Sequence, residues 1–217
     1  MAPGIDFFDV DHTITRRSSG ARFISLAMSR RMLPRRLIFV LPWYAITYRL
    51  GIFRLREYAE GFPHLRGITR AALEAIARES FEGRLKADIF EGAAALVEER
   101  RKAGRRVILA TSSLDFIVAP LAEHLGVDGL LATTLEFRDG VCTGNILGVP
   151  MFRREKKRRV TEFLAREGVD PRDCAFYSDS IFDLPLLETV GRPVAVNPDF
   201  RLRRIARRRG WQIIALP

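Results

Sequence analysis

From residue 88 onward, apolar runs of strand length alternate with segments of helical period, and that rhythm admits few architectures. Strand, helix and strand in succession are built most simply as a parallel sheet with helices on its faces. The expected class is therefore α/β, not a bundle or a sandwich. With 217 residues and 47% hydrophobic side chains, the chain can bury a sizeable core.

The predicted elements follow from that pattern. Strands are expected at Ile5 to Val10, Arg106 to Ala110, Cys174 to Ser178, Pro193 to Val196 and Trp211 to Ala215. Helices are expected around Gly92 to Lys102, 116–125 closed by Gly126, and Glu155 to Glu167 closed by Gly168, with an arginine-rich helix between the last two strands. Two runs, Leu130 to Phe137 and Val141 to Leu147, flank Asp139-Gly140 and read as a hairpin with a tight turn. Residues 17–87 carry a helical pattern without a convincing strand, including a helix around Arg70 to Phe81. This places an inserted helical cap at 15–87 between core segments 1–14 and 88–217.

Within that insertion, Leu37 to Tyr48 contains no charged residue, and arginines stand on both sides. It is shorter than the roughly 20 apolar residues that cross a bilayer core, and Pro42 interrupts it. Two readings remain open: short helices buried against each other, or an apolar face at a membrane interface, with Trp43, Tyr44 and Tyr48 at headgroup level. Peripheral membrane contact is thus expected, if anywhere, through 37–53.

The formal net charge is +10, and arginines cluster at Arg30 to Arg36, Arg153 to Arg159 and Arg201 to Arg209. Such a surface attracts anions. Nucleic acid is disfavoured, since the chain has no zinc-finger spacing, RNA-binding aromatic motif or clear helix-turn-helix. A phosphorylated metabolite or an anionic lipid fits the same charge. The two cysteines, Cys142 and Cys174, form no C-x-x-C pair, so neither a disulfide framework nor a zinc site is expected. A reducing compartment suits them, and the N-terminus lacks the basic region and cleavage site of a signal peptide. The expected location is the cytoplasm, with the inner face of the membrane as its periphery.

Chemistry is concentrated at the strand ends. Asp9 and Asp11 stand two apart in Phe-Phe-Asp-Val-Asp-His-Thr-Ile-Thr. Carboxylates so close repel unless a cation or a shared proton relieves them. Asp179 and Asp183 follow another apolar strand in Tyr-Ser-Asp-Ser-Ile-Phe-Asp-Leu-Pro, and Thr111, Ser112 and Ser113 follow a third. Taken singly, each has an ordinary explanation: a solvated strand end, a capping aspartate, an N-cap threonine, a surface lysine at Lys156. Together, in this order along an α/β chain, they define a candidate site.

These residues resemble the motifs of the haloacid dehalogenase superfamily, in its phosphoserine-phosphatase-like subclass with a helical cap. Asp9 and Asp11 match its D-x-D-x-T motif, Thr111 its second-motif hydroxyl, Lys156 its third-motif lysine, and Asp179 with Asp183 its acidic fourth motif. Lys156 is preferred to Lys157 because it keeps the following helix and strand in ungapped register. The resemblance implies a Rossmann-like, doubly wound core and a magnesium-dependent phosphomonoester hydrolase. Asp9 would be the nucleophile that forms an aspartyl-phosphate, and Asp11 the acid and base. Thr111, Ser112 and Lys156 would bind the substrate phosphate, and Asp9, Asp11, Asp179 and Asp183 would serve the metal, Mg2+.

The substrate is less constrained. A phosphoserine phosphatase of this family carries a cap glutamate after the first motif, where this chain has Ser18 and Ser19 amid Arg16, Arg17 and Arg22. A small metabolite or lipid head-group phosphate is the expected substrate, with phosphoserine, or a catalytically silent anion- or lipid-binding protein, as alternatives. His12 reads as a partly exposed loop residue.

Overall fold

The computed structural model describes residues 4–34 and 61–217. Leu37 to Phe53 therefore lies outside the described residues. The elements in chain order are β1 (Ile5–Phe8), α1 (Ser19–Ser29), α2 (Arg70–Ser80), α3 (Glu91–Lys102), β2 (Arg106–Leu114) and α4 (Asp115–Leu125). They continue with β3 (Gly129–Thr133), β4 (Leu135–Arg138), β5 (Val141–Ile146), α5 (Arg154–Glu167) and β6 (Ala175–Ser178). The chain ends with α6 (Leu184–Leu187), β7 (Arg192–Val196), α7 (Phe200–Arg209) and β8 (Gln212–Ile214).

Six strands form one sheet in the order β3-β2-β1-β6-β7-β8, and every pairing in it is parallel. Alternation along β1 sends its side chains to two cores. Ile5 and Phe7 pack with Val160 and Leu164 of α5 and Leu202 and Ala206 of α7. Phe8 and Val10 pack on the opposite face with Ala93 and Val97 of α3 and Val118 and Leu121 of α4. A strand buried on both faces carries apolar side chains toward both, as Ile5, Phe7, Phe8 and Val10 do, with Asp6 and Asp9 interrupting the run. The Rossmann-like, doubly wound α/β class is what the sequence leads one to expect.

Local signals set the helix ends. Ser18 accepts from the Ala21 N–H at the start of α1, and Asp199 accepts from the Leu202 N–H at the start of α7. Gly126 and Gly168 end α4 and α5 with φ of 60° and 67°, the left-handed conformation in which a Cβ is disfavoured.

Two expectations need correction. Leu130 to Phe137 is not one hairpin strand: β3 joins the main sheet beside β2, and only β4 pairs with β5. Thr133 is where they part. Its buried hydroxyl donates to the Ser112 carbonyl and accepts from the Met151 N–H, pinning β3, while Leu135 enters a different core. The turn at Asp139-Gly140 is as expected, with φ of 49° and 76°. The second correction concerns β2, which runs on through Thr111, Ser112 and Ser113 to Leu114, with a register irregularity after Ala110.

The β4–β5 hairpin is attached to residues 61–70 through backbone hydrogen bonds, including Gly67 N–H to the Cys142 carbonyl at 2.9 Å and Cys142 N–H to the Ile68 carbonyl at 2.9 Å. A third core forms there from Phe23 and Ala27 of α1, Leu73 and Ala77 of α2, Phe116 and Ile117 of α4, and Leu135 and Cys142 of the hairpin.

Within β1, near the start of that interior strand, Asp6 is fully buried and ion-paired with Arg100 and Arg105, the latter at 2.6 Å. Arg105 also donates to the Asp173 carbonyl at 2.7 Å. Removing one partner of a buried pair strands the other's charge, and Asp6→Ala leaves two guanidinium groups without it. The variant is expected to lose about 3–5 kcal/mol in urea denaturation; a loss below about 1 kcal/mol would mean that solvent already screens this cluster.

Candidate active site

Chain order reverses at β1: the chain builds β2 and β3 on one side and later places β6 on the other. In open α/β sheets the crevice beyond the carboxyl ends of strands at such a point is where ligands bind. Asp9 follows β1 there, and its N–H donates to the Tyr177 carbonyl of β6 at 2.9 Å. Asp179 follows β6. The two acidic motifs, 170 residues apart in sequence, thus meet because β1 and β6 are neighbours.

Lys156, near the start of α5, closes the group. Its Nζ donates to Asp9 Oδ1 at 2.8 Å and to Asp183 Oδ2 at 2.8 Å, with all three residues buried. Burial alone would lower the ammonium, but the carboxylates of Asp183 and Asp9 outweigh it and hold the pKa above the usual lysine value. Burial pushes Asp9 up to about 7; Lys156 pulls against the rise, and Asp183 and Asp11 add to it. Asp179 is raised well above the ordinary carboxylate range by burial and then by Asp9 and Asp183.

Short-range hydrogen bonds fix these carboxylates. Thr13 Oγ1 accepts from the Asp179 N–H at 3.0 Å and lies 3.3 Å from Asp179 Oδ1, to which it donates. Ser178 Oγ donates to Asp183 Oδ2 at 2.7 Å. Asp11 turns the other way, toward α1: it accepts from the Ser19 N–H at 2.8 Å, from Ser18 Oγ at 3.2 Å and from Ser113 Oγ at 3.1 Å. Thr111 is buried in β2, and its Oγ1 accepts from the Ser113 N–H at 3.1 Å. The Ser112 carbonyl is bound by Thr133, and its side chain is half-buried. Asp9, Lys156, Asp179 and Asp183 therefore share one buried cluster, while Asp11 stands beside it, bonded to Ser113 of β2. His12 has φ of 63° and a ring nitrogen 3.2 Å from the Arg16 carbonyl.

Ser18, Ser19, Ser113 and Ser178 stand in the sequence motifs, but their bonds to Asp11 and Asp183 are not signalled there. Ser18 carried a usable signal as an N-cap before a helical run, but nothing in its neighbourhood announces that the same turn also binds Asp11.

The donor set suits a hard divalent cation. It consists of carboxylate oxygens, and when Asp9, Asp179 and Asp183 are all ionised the single Lys156 ammonium leaves two negative charges uncompensated. Among the described residues no three acidic side chains form a ready-made metal cage. Magnesium does not require one, since it retains several waters and takes one or two carboxylates.

A buried strand-end aspartate bridged by lysine to a second acidic loop, in an α/β crevice, defines a class of hydrolase. The haloacid dehalogenase-like hydrolase family model matches residues 7–188. A phosphoserine phosphatase of Mycobacterium tuberculosis is 34% identical over 95% of this chain and 69% of its own. A histidinol-phosphatase of Neisseria meningitidis is 37% identical over 55% of each. A crystal structure of a Bordetella pertussis protein of unknown function superposes with a TM-score of 0.87 at 34% identity, covering 99% of both chains. The chain belongs to the haloacid dehalogenase-like hydrolase family, and within it is a phosphatase, a hydrolase of phosphoric monoesters.

Proposed function

We propose that this phosphatase works through an aspartyl-phosphate on Asp9, with a small primary-alcohol phosphate as substrate. The observation that carries the reading is the Lys156 bridge between buried Asp9 and Asp183. It holds one Asp9 oxygen on a cation and leaves the other for attack. In the first step that oxygen bonds to phosphorus as the bond to the leaving alcohol breaks, and Asp11 gives the alcohol its proton. In the second, Asp11 takes a proton from water, the water oxygen bonds to phosphorus, and Asp9 and inorganic phosphate are released. Thr111 and Ser112 donate to phosphoryl oxygens, and Lys156 offsets the charge that gathers there.

Asp9 and Asp179, the Asp11 backbone carbonyl, and Asp183 from further out would hold magnesium. When bound it supplies charge neutralisation that lets a dianionic phosphate approach a carboxylate. Residues 15–87 would act as the cap over this crevice, joined by the β4–β5 hairpin. The names of two relatives point to phosphoserine and histidinol phosphate, both phosphates of a primary alcohol that lies beside an amino group. The lipid head-group phosphate expected beside a small metabolite drew on the basic charge and on 37–53, which lies outside the described residues, and the primary-alcohol substrate does not depend on either.

Phosphate release from phenyl phosphate tests the reading. Activity is expected to vanish in EDTA and return with Mg2+, and Mg2+ at a hundredfold excess over its Kd should raise Tm by about 5–10 °C. Asp179→Asn should weaken both responses. Full turnover in EDTA, or a silent protein that shifts in Tm but releases no phosphate, would refute it.

A further inference from the structure

Arg153 sits in the turn just before α5, three residues ahead of Lys156, with φ of 51° and ψ of −118°. These angles are those of the first central position of a type II′ turn, which glycine dominates because a Cβ is crowded there. An arginine in this place is backbone strain of the kind that collects at ligand clamps. The side chain is not idle surface. Its guanidinium carbon lies 4.4 Å from the centre of the Phe182 ring and 5.3 Å from that of Phe152, and these two rings pack 4.9 Å apart. Phe182 is the residue before Asp183, so the shelf that carries the guanidinium belongs to the same loop as the carboxylate that holds Lys156.

The Arg153 Nε is buried, and it has no hydrogen-bond partner among the described residues. No carboxylate among them pairs with this guanidinium, although Arg158, Arg172 and Arg209 each find one. A buried donor left open costs free energy unless something occupies it. A planar, stacked guanidinium with its fork open matches a carboxylate or another planar anion.

We propose that Arg153 forms a subsite for a second anionic group on the leaving-alcohol side of the substrate, so that the preferred phosphomonoesters carry a carboxylate beside the ester. This rests on the phosphatase reading and narrows its substrate class. It favours the carboxylate-bearing member of the two substrate types above, since histidinol phosphate offers no second anion.

The test compares O-phosphoserine with phosphoethanolamine, which differ by one carboxylate, as competitive inhibitors of phenyl phosphate turnover. Competition reports binding whether or not either compound is itself hydrolysed. The parent is expected to bind phosphoserine about tenfold or more tightly than phosphoethanolamine, and Arg153→Gly to bring the ratio near 1. Arg153→Lys, which keeps the charge but loses the fork, should fall between them. Because glycine accepts the turn, Arg153→Gly should also melt about 2–4 °C higher, which separates a lost contact from a damaged fold. An unchanged ratio in Arg153→Gly, or a parent that prefers phosphoethanolamine, overturns the subsite. A parent that releases no phosphate from phenyl phosphate with Mg2+ overturns the phosphatase reading instead, and direct titration of the two compounds then still decides the subsite.

Discussion

Asp9→Asn is expected to reduce kcat by about 10⁴-fold or more, measured as phosphate release with saturating Mg2+. The amide oxygen still accepts from Lys156, and the backbone bond from the residue 9 N–H to the Tyr177 carbonyl is untouched, so the sheet keeps its register. What disappears is a carboxylate able to bond to phosphorus. The substitution also removes a buried negative charge, so stability should hold or rise slightly in thermal melts. A variant within tenfold of the parent would transfer the nucleophile to another residue or to water.

Lys156→Ala should be costly to the fold as well as to turnover. It strips the ammonium from two buried carboxylates, and breaking such a group costs about 3–5 kcal/mol. The pH dependence has a definite sign. Asp9 has a folded pKa of about 7, above its reference value of 3.8, so the fold favours its protonated form. Its contribution is present in full below the reference value and is lost as pH rises through about 7. In metal-free protein the Lys156→Ala deficit should therefore be smallest toward pH 4 and grow as pH rises through about 7, where the parent's Asp9 ionises beside its ammonium. Lys156→Arg restores charge without fitting the buried space and should rescue stability only in part. Equal deficits at pH 4 and pH 8 would show that lost packing, not charge, governs the variant.

How much of this could be read in the sequence depended on range. The parallel sheet, the two glycine-closed helices and the strand-end aspartates are signalled within a few residues, by apolar runs, left-handed caps and paired acids. Thr133 illustrates the limit. Leu130 to Phe137 is one apolar run by local measure, and only the Ser112 carbonyl and Met151 N–H, which are distant in sequence, divide it. The Asp11 contacts follow the same logic, since Ser113 is 102 residues away and reaches it through the packing of α1 on β2. Arg153 lay in plain view inside a basic run, but its meaning is conformational: composition cannot tell an arginine in a glycine turn from its solvated neighbours.

The attachment of the hairpin to residues 61–70 bears on how such a protein can be recombined. Phe62 and Gly144, Gly67 and Cys142, Arg70 and Gly140, and Cys142 and Ile68 are each joined by a backbone hydrogen bond. Backbone bonds are indifferent to side-chain identity but strict about register. A chimera that takes the stretch between β1 and α3 from a relative and keeps its own hairpin must therefore match chain length on both sides of the seam. The two inserts, encoded far apart, are exchangeable only as a pair, and a donor of new specificity has to contribute both.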